Sequence, residues 1–249
     1  MGLELMYPVG STAACRYAGE ILKQGGIGLV DHPAPEVTHL LLDVPSFDPG
    51  GMLRDGGNLK DLLRMLPPGI TVIGGNLEHP ALAGYRKLDL LKEEGYLAQN
   101  AAITAECALQ VAAQHMEVVF SGCPVLVIGW GRIGKCLSLL LKGMGTEVSI
   151  AARKETDRAM AKALGFGAVD TAALDFRPYR MVFNTVPYPI LHKEGNEKCH
   201  SLLIELASKP GLAGDSVVIA RGLPGIYAPE SSGRLIAETI LQRFKEGLE

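Results

Sequence analysis

The chain has 249 residues, of which 47% are hydrophobic, and its 24 basic and 27 acidic side chains give a formal net charge of −3. This length suffices for one large or two small domains, and the hydrophobic content argues against disorder. The nearly balanced charge, with basic residues scattered along the chain, gives no reason to expect nucleic acid or an anionic membrane as a partner.

The amino terminus lacks both the basic and the long apolar segment of a secretory signal, and no apolar run approaches the roughly 18 residues of a membrane span. The five cysteines are odd in number, and no two have C-x-x-C spacing, which is typical of reduced thiols in a cytosolic protein. The six histidines show no metal-ligand spacing, so we predict no metal site. We therefore expect a soluble, cytoplasmic protein.

Strands and helices alternate along the first hundred residues, which predicts a parallel sheet with right-handed crossovers. The predicted strands are Leu3–Tyr7, Ile27–Val30, His39–Val44 and Ile70–Ile73. The predicted helices run from a cap at Ser11 or Thr12 to about Lys23, and over Leu59–Leu66.

The second part of the chain begins with an alanine-rich segment, Asn100–Met116, which is predicted to be a helix that bridges two domains. The later predicted helices are Ile133–Met144, Thr156–Leu164 and one from Pro229 to about Lys245. The later predicted strands are the apolar run that starts at Val125, Glu147–Ala151, Met181–Val186, Leu202–Ala207 and Val217–Ala220.

This pattern predicts an α/β protein with a Rossmann-like, doubly wound parallel sheet and a smaller N-terminal α/β domain. We expect the N-terminal domain, for substrate or partner, at 1–99 and the bridging helix at 100–118. The dinucleotide-binding domain is expected at 119–230 and a C-terminal helix at 231–249.

The strongest functional pattern is an apolar run that leads into Gly129, Gly131 and Gly134 with G-x-G-x-x-G spacing. Gly129 would permit a tight turn, Gly131 would let a pyrophosphate approach the backbone, and Gly134 would let the next helix pack close to the strand. That helix offers free N–H groups and a partial positive charge at its start. These features favour a dinucleotide site over a glycine-rich turn that has lost its ligand.

The residues after the second strand of this motif bear on the choice of cofactor. An Asp or Glu there usually accepts hydrogen bonds from the ribose hydroxyls of NAD, but this strand is followed by Arg153 and Lys154. Arg153 could stack on adenine and pair with a 2′-phosphate, while Lys154 would add a second charge. The sequence therefore favours NADP(H) over NAD(H), although NAD stays open. The alternative is that Arg153 is a solvated residue at the start of a helix.

Six segments in a fixed order resemble the dehydrogenase subunit of dipicolinate synthase, an enzyme of spore-forming bacteria. They are Asn100–Glu106, Val125–Gly134, Ala152–Arg153, Asn184–Pro187, Leu206–Gly211 and Gly222–Gly225. The resemblance runs from about His39 to the carboxyl terminus, and the ordered set is specific although no single segment is. Where that family has Arg-Pro-Gly-Gly, this chain has Lys209-Pro210-Gly211-Leu212.

The resemblance implies a pyridine-nucleotide oxidoreductase of late sporulation. Such an enzyme would aromatise a dihydrodipicolinate-type product of the lysine pathway to dipicolinate and pass a hydride to NADP⁺. A small dicarboxylate is then the substrate, and the partner is the flavoprotein-like second subunit of the synthase. A homo-oligomer stays open, because the apolar stripe of the last helix could be buried in the monomer or in a dimer.

We expect the cofactor to contact the glycine turn, the end of the next strand, and the turns after later strands. These residues are Gly129, Trp130, Gly131, Arg132, Ile133, Gly134, Ala152, Arg153, Lys154, Thr185, Val186, Pro187 and Gly222. A plain strand-end turn at Thr185 and a plain structural turn at Gly222 are equally compatible with the sequence.

The catalytic candidates are Asn100, Thr104, Glu106 and Lys209. Asn100 and Thr104 share a helix face if Asn100 is helical, and they would contact the substrate there, whereas helix capping is their alternative role. Glu106, near the positive end of that helix, would be favourable without any function. Lys209 would hold a substrate carboxylate, unless it is an ordinary exposed lysine of a loop.

Other residues are candidates for binding a substrate carboxylate and for accepting a proton. Arg16 and Arg54 are further candidates for binding a carboxylate, and the sequence does not choose among the cations. Aromatisation releases a proton, for which Glu106, His79 and His115 are candidates, although a lone histidine is more often packed or on the surface.

Two other functions fit the same residues. One is a non-catalytic protein that binds NAD(P) as a sensor or scaffold subunit, which the lack of an obvious acid–base pair and the altered turn at Lys209–Leu212 favour. The other is a reductase of a different small carboxylic acid.

Overall fold

The computed structural model describes residues 4–48, 50–190, 200–212, 214 and 216–247. The chain forms two compact units, one made of residues 1–100 and 224–249 and the other of residues 101–223. The domain boundaries predicted at residues 99, 118 and 230 remain predictions. None of the helices in the described part of the chain combines the length and the apolar character needed to span a bilayer.

The first unit contains five strands and several helices. Its strands are β1 (Leu5–Pro8), β2 (Gly28–Leu29), β3 (His39–Leu41), β4 (Thr71–Gly74) and β5 (Arg86–Asp89). Its helices are α1 (Ala13–Gln24), α2 (Leu59–Arg64), the start of α3 (Glu94–His115), most of α6 (Leu223–Tyr227) and α7 (Pro229–Glu246).

All strand pairs of the first unit are parallel, and the order is β2-β1-β3-β4-β5. This flavodoxin-like order reverses direction between β1 and β3. Helix α7 packs against α1, and Gly233 of α7 allows a close approach, since a Cβ there would lie 2.5 Å from Ala14 O. One core of the unit is formed by Leu40, Leu42, Leu62, Leu63, Ile70, Val72 and their neighbours.

A buried carboxylate closes the turn between β1 and α1. Asp43, just beyond β3, accepts hydrogen bonds from the backbone amides of Ser11 and Thr12 at 2.9 and 3.0 Å and from both hydroxyls. Thr12 caps α1 by accepting from Cys15 N, which selects one of the two predicted caps. The start of α1 is therefore satisfied within the protein.

His39 opens β3 and is buried. Its Nδ1 lies 2.8 Å from Thr38 Oγ1 and 3.0 Å from Glu4 Oε2, and its ring packs on Phe244 with 4.8 Å between centroids. Burial lowers the pKa of His39 below 6.5, because the imidazolium form loses hydration; Glu4 opposes this effect and Arg86 adds to it.

The lowered pKa of His39 predicts a loss of stability in mild acid. Below pH 6.5 the unfolded chain takes up a proton that the folded chain resists, so the free energy of unfolding should fall as the pH is lowered through this range. The contribution of His39 to the slope of the free energy of unfolding against pH is at most about 1.4 kcal/mol per pH unit. Urea unfolding of His39→Gln above and below pH 6.5 should show a flatter dependence than that of the parent, and His200→Gln, the same change at an exposed position, is the control. Identical pH dependence in His39→Gln and the parent would contradict the assignment.

The second unit is built around six strands. They are β6 (Pro124–Ile128), β7 (Glu147–Ala152), β8 (Gly167–Asp170), β9 (Met181–Asn184), β10 (Leu202–Glu205) and β11 (Val217–Ile219). Helices α4 (Arg132–Gly143) and α5 (Glu155–Ala163) connect the first three strands, and the larger part of α3 also belongs to this unit.

The strand order of the second unit is β11-β10-β9-β6-β7-β8, and every pair is parallel. Read from β8 to β11, and numbered within the unit, this is the 3-2-1-4-5-6 order of the Rossmann fold, with its switch point between β6 and β9. Ligands of such sheets bind beyond the carboxyl ends of the strands at that point. The predicted fold class, a Rossmann-like parallel sheet with a second α/β unit, is confirmed.

Candidate functional site

The turn after β6 has the geometry that the glycine spacing predicts. Gly129 is buried with φ of +109°, a region that favours glycine, and its N–H donates to Ala151 O at 2.9 Å. A Cβ at this position would lie 2.4 Å from Thr185 Oγ1. The residue therefore needs glycine both for its backbone angle and for its contact with the loop after β9.

The other two glycines have different surroundings. A Cβ at Gly134 would lie 2.2 Å from Gly129 O, so the absence of a side chain lets α4 pack against the turn. Gly131 is the N-cap of α4, provides no side-chain cap, and would meet nothing within 4 Å if it had a Cβ. Open space at the start of a helix is what a diphosphate requires, so this turn fits a dinucleotide.

A cavity of 420 Å³ opens beside this turn, at the carboxyl ends of the strands. Of the predicted cofactor residues it is lined by Gly129, Trp130, Gly131, Ala152, Arg153, Lys154 and Val186. The sequence did not point to the remaining lining residues, which include Asp157, Thr171, Ala172, Leu174, Tyr188, Pro189 and Ile190.

Arg153 stands in the wall of this cavity, directly after β7. Its guanidinium carbon lies 5.6 Å from the centroid of the Tyr188 ring, a cation–π contact between two exposed side chains. Arg158 supports the same strand end, because its Nη1 donates to Ala152 O and Arg153 O at 2.8 and 2.7 Å and pairs with Asp170 at 2.9 Å.

The acidic side chain in the cavity wall lies in the helix after β7, whereas in a typical NAD site it lies at the end of that strand. No Asp or Glu ends β7; Asp157, in the first turn of α5, is the acidic side chain among the cavity-lining residues. Arg153 and Lys154 stand before it, so two cations and one carboxylate share the cavity wall.

Other predicted cofactor residues lie outside the set that lines the cavity. Thr185 donates its hydroxyl to Ile128 O at 2.8 Å, which ties the loop after β9 to the end of β6. Pro187 is exposed in the same loop, and Gly222, with φ of +62°, directly precedes α6. Arg132 and Ile133 are the first two residues of α4, directly after the N-cap Gly131.

The catalytic candidates on α3 are interior residues of the helix and do not open it. The helix starts at Glu94, six residues before Asn100, so capping is excluded as the role of Asn100 and Thr104. Asn100 is half-buried, Thr104 is buried and Glu106 is exposed. Asn100 and Thr104 share one face at i, i+4 spacing, whereas Glu106 points elsewhere. For the same reason the dipole at the start of α3 gives Glu106 no stabilisation.

The cationic candidates all follow the carboxyl ends of strands. Arg16, in the first turn of α1, donates to Ser11 O at 3.1 Å, and Arg54 donates through Nε to Pro45 O at 2.9 Å. Lys209 is exposed in the loop after β10. All three are positioned at the edge of a sheet where ligands bind.

The two histidine candidates have other surroundings. His79 caps the short 3₁₀ helix Pro80–Leu82, because its ring accepts a hydrogen bond from Ala81 N at 3.1 Å. Its ring centroid also lies 5.1 Å from that of Phe47. His115 is the exposed last residue of α3. Within the described ranges no group of three His, Cys, Asp or Glu side chains is arranged to hold a metal ion.

A larger cavity, of 520 Å³, lies in the first unit and is bordered by Thr38, His39, Thr71 and Arg86. These residues stand at or just before the starts of β3, β4 and β5. This is the amino edge of the sheet, opposite to the edge where open α/β sheets bind ligands. The cavity beside the glycine turn is therefore the candidate functional site.

No protein-family model matches this chain. The chain is similar to a subunit of dipicolinate synthase from Bacillus subtilis (strain 168), the same subunit that the sequence resembles, with 29% identity over 183 residues. The match covers 68% of this chain and 62% of that protein, so it spans less than two thirds of the relative's length.

Solved structures extend the similarity to the whole fold. The crystal structure of the corresponding dipicolinate synthase subunit from Bacillus halodurans matches with a TM-score of 0.84, 20% identity and 98% coverage of both chains. A transhydrogenase from Sinorhizobium meliloti matches with a TM-score of 0.68 and 13% identity, over 98% of this chain and 94% of that one. The structural matches show the fold, and together with the relative from Bacillus subtilis they confirm the resemblance identified in the sequence.

Proposed function

We propose that this chain is a pyridine-nucleotide-dependent oxidoreductase, similar to the dehydrogenase subunit of dipicolinate synthase, that oxidises a dihydrodipicolinate-type intermediate to dipicolinate. The observation that carries the proposal is the open glycine turn at the switch point of a Rossmann sheet, next to a cavity of 420 Å³. The similarity to that subunit in sequence and fold supports the choice of reaction. The reaction would take place in the cytoplasm during late sporulation.

NADP(H) is the proposed cofactor. Arg153 and Lys154 line the cavity where β7 ends, and both are cations next to the place where the ribose of a dinucleotide would lie. The guanidinium of Arg153 offers a flat stacking surface and donors for a phosphate. Asp157 on the same wall would accept hydrogen bonds from ribose hydroxyls. We therefore propose that NAD(H) also binds, but more weakly than NADP(H).

The protein's own residues would bind and orient the reactants and exclude water. The backbone N–H groups at the start of α4, whose N-cap Gly131 has no side chain, would hold the diphosphate. When bound, the nicotinamide supplies the hydride acceptor. Aromatisation of the substrate ring removes one hydride and one proton, and the proton is released to water.

The substrate is proposed to be a small dicarboxylate. Asn100 and Thr104, on one face of α3, are the residues proposed to contact it, and Lys209, Arg16 and Arg54 are each a proposed candidate for binding a carboxylate. The flavoprotein-like second subunit of the synthase is the proposed partner, in keeping with the similarity to one subunit of that enzyme.

The reaction can be tested with the chain, freshly made product of dihydrodipicolinate synthase, and the flavoprotein-like second subunit. NADPH and dipicolinate should then appear together and in equal amounts, because each turnover removes one hydride. The matched control omits the chain and keeps the second subunit. Absence of both products with NADP⁺ and with NAD⁺ would contradict the proposed reaction.

The cofactor preference can be tested by titration, because the chain has a single tryptophan, Trp130, in the wall of the cavity. Removing the cation in Arg153→Ala should raise the dissociation constant of NADP(H) about tenfold, and that of NAD(H) less. The control Lys162→Ala removes an exposed cation from the far end of α5 and should change neither constant. Equal NADP(H) affinity in the parent and Arg153→Ala would remove the argument for the phosphate.

A non-catalytic subunit that binds the dinucleotide as a sensor or scaffold is the second candidate. Its supporting observation is that His79 has a capping contact and His115 lies at the exposed end of α3, so neither is arranged as a catalytic base. Tight dinucleotide binding and association with another protein, without turnover, would favour this function.

A further inference from the structure

Glu205 is a fully buried carboxylate at the end of β10, with an exposed fraction of 0%. It accepts hydrogen bonds from the backbone amides of Ala207, Gly211 and Leu212 at 2.9, 2.7 and 2.8 Å. The loop after β10 thus folds back around the carboxylate. Without this acceptor, three buried N–H groups would lack a partner, which is costly.

The same carboxylate also holds the loop that follows β9. Asn184, likewise 0% exposed, donates its Nδ2 to both oxygens of Glu205 at 3.0 and 2.9 Å. Its amide also closes the turn after β9, since Nδ2 donates to Val186 O at 3.0 Å and Oδ1 accepts from Val186 N at 3.1 Å. Glu205 therefore fixes the side chain that shapes the start of this loop.

The far end of the loop after β9 is held through Gly211. Ile190 N donates to Gly211 O at 2.7 Å, while Gly211 N donates to Glu205. The two loops come so close that a Cβ on Gly211 would lie 2.4 Å from Tyr188 O and 2.5 Å from Asn184 Nδ2. Residues 186–190 are therefore anchored at both ends by groups that bind one carboxylate.

These anchored residues form one wall of the cavity beside the glycine turn. Val186, Tyr188, Pro189 and Ile190 line it, and Tyr188 stacks on Arg153 although its side chain is 61% exposed. An exposed aromatic ring keeps such a position only if its backbone is held. The hydrogen bonds from Asn184 and Gly211 to Glu205, and from Ile190 to Gly211, hold this backbone.

We propose that Glu205 is a positioning residue that holds Tyr188 and the rest of the 186–190 wall in the geometry that binds the dinucleotide. It acts through Asn184 and Gly211 and does not touch the cofactor itself. This inference rests on the proposed function, and it adds a residue that neither the glycine motif nor the cationic pair identifies.

The chemistry of the carboxylate makes the proposal specific. Among the described residues, every hydrogen bond to the side chain of Glu205 comes from an N–H donor, so an acceptor is needed at both oxygens. In Glu205→Gln one oxygen becomes an NH₂ group that faces other donors, while the size of the side chain is kept. Glu205→Asp keeps the charge on a side chain that is shorter by one methylene. Its dinucleotide binding should therefore be impaired less than that of the glutamine variant.

The test is dinucleotide binding, measured by Trp130 fluorescence on the full chain. Glu205→Gln should raise the dissociation constant of NADP(H) about tenfold, because loss of hydrogen bonds to a buried charge frees the wall. Glu147→Gln makes the same chemical change at an exposed position at the opposite edge of the sheet and should bind as the parent does. Unchanged binding in Glu205→Gln would overturn the proposal. Glu205→Asp replaces it in the comparison if the glutamine variant does not fold.

A double-mutant cycle with Tyr188→Ala separates positioning from a general loss of stability. If Glu205 acts through the wall, the two substitutions together should raise the dissociation constant by less than the product of their separate effects. Effects that multiply in full would show that Glu205 does not act through Tyr188.

The failure of this inference can be told apart from a failure of the proposed function. If the parent chain binds neither dinucleotide, the proposed function fails. The positioning role of Glu205 is then tested by amide hydrogen exchange. Exchange at Ala207, Gly211, Leu212 and Ile190 should be faster in Glu205→Gln than in Glu147→Gln. Equal exchange at these amides in the two variants would overturn the positioning role.

Discussion

Replacing Gly134 with alanine is expected to lower the free energy of unfolding by about 3 kcal/mol. The added Cβ would lie 2.2 Å from Gly129 O, and the neighbouring carbonyl carbon would be 3.1 Å away. Both atoms belong to the backbone of the turn after β6, so no flexible side chain can move aside. Either α4 shifts away from the sheet or the turn is distorted.

The control for this substitution lies in the same helix. Gly143, the last residue of α4, would meet nothing within 4 Å if it carried a Cβ. Gly143→Ala should therefore be neutral or stabilise the protein by up to about 1 kcal/mol, from helix propensity alone. Urea unfolding of both variants measures the difference, and equal stability of Gly134→Ala and Gly143→Ala would mean that the close packing of α4 on the turn is not real.

The sequence predicted the interior strands best, because these are continuous apolar runs with turn residues on both sides. The central strands β3, β6 and β9 appear close to their predicted positions. The two strands that it missed, β5 and β8, are edge strands of their sheets. Their sequences, Arg-Lys-Leu-Asp and Gly-Ala-Val-Asp, are half exposed and lack the apolar periodicity on which such a prediction depends.

The predicted start of α3 is six residues too late for a related reason. Its first turns contain Glu94, Gly95 and Gln99, and no apolar stripe or capping residue marks the point where the chain becomes helical. The sequence alone therefore places Asn100 and Thr104 near a helix start. Their position in the middle of a long helix leaves contact between side chains, not capping, as the interaction that they can make.

The site itself was predictable only where it is local in sequence. The glycine turn and the cations after β7 follow from spacing within one βαβ unit. Tyr188 faces Arg153 across 35 positions of the chain, and Glu205 meets Asn184 across 21. Such contacts depend on how strands are ordered in the sheet, and one sequence does not give that order. The carboxylate of Glu205 carried no signal in the sequence because it ends an ordinary apolar strand.

Gly131→Ser tests the proposed function most directly, because it should move stability and binding in opposite directions. Gly131 is the N-cap of α4 with φ of −82° and ψ of −169°, an extended conformation that any residue adopts, and a Cβ there would meet nothing within 4 Å. Serine is among the preferred N-cap residues, so the variant should gain a few tenths of a kcal/mol in stability, or about 1 at most, in urea unfolding.

The same hydroxyl would occupy the space and take the N–H groups that we assign to the diphosphate. We therefore expect the dissociation constant of NADP(H) to rise about tenfold to a hundredfold, measured by Trp130 fluorescence or calorimetry. Gly143→Ala again serves as the control and should bind as the parent does. A Gly131→Ser protein that binds the dinucleotide with the parent's affinity would show that the backbone at the start of α4 is not the diphosphate site. If binding falls as expected, Gly131 is a position where the chain gives up stability for ligand binding.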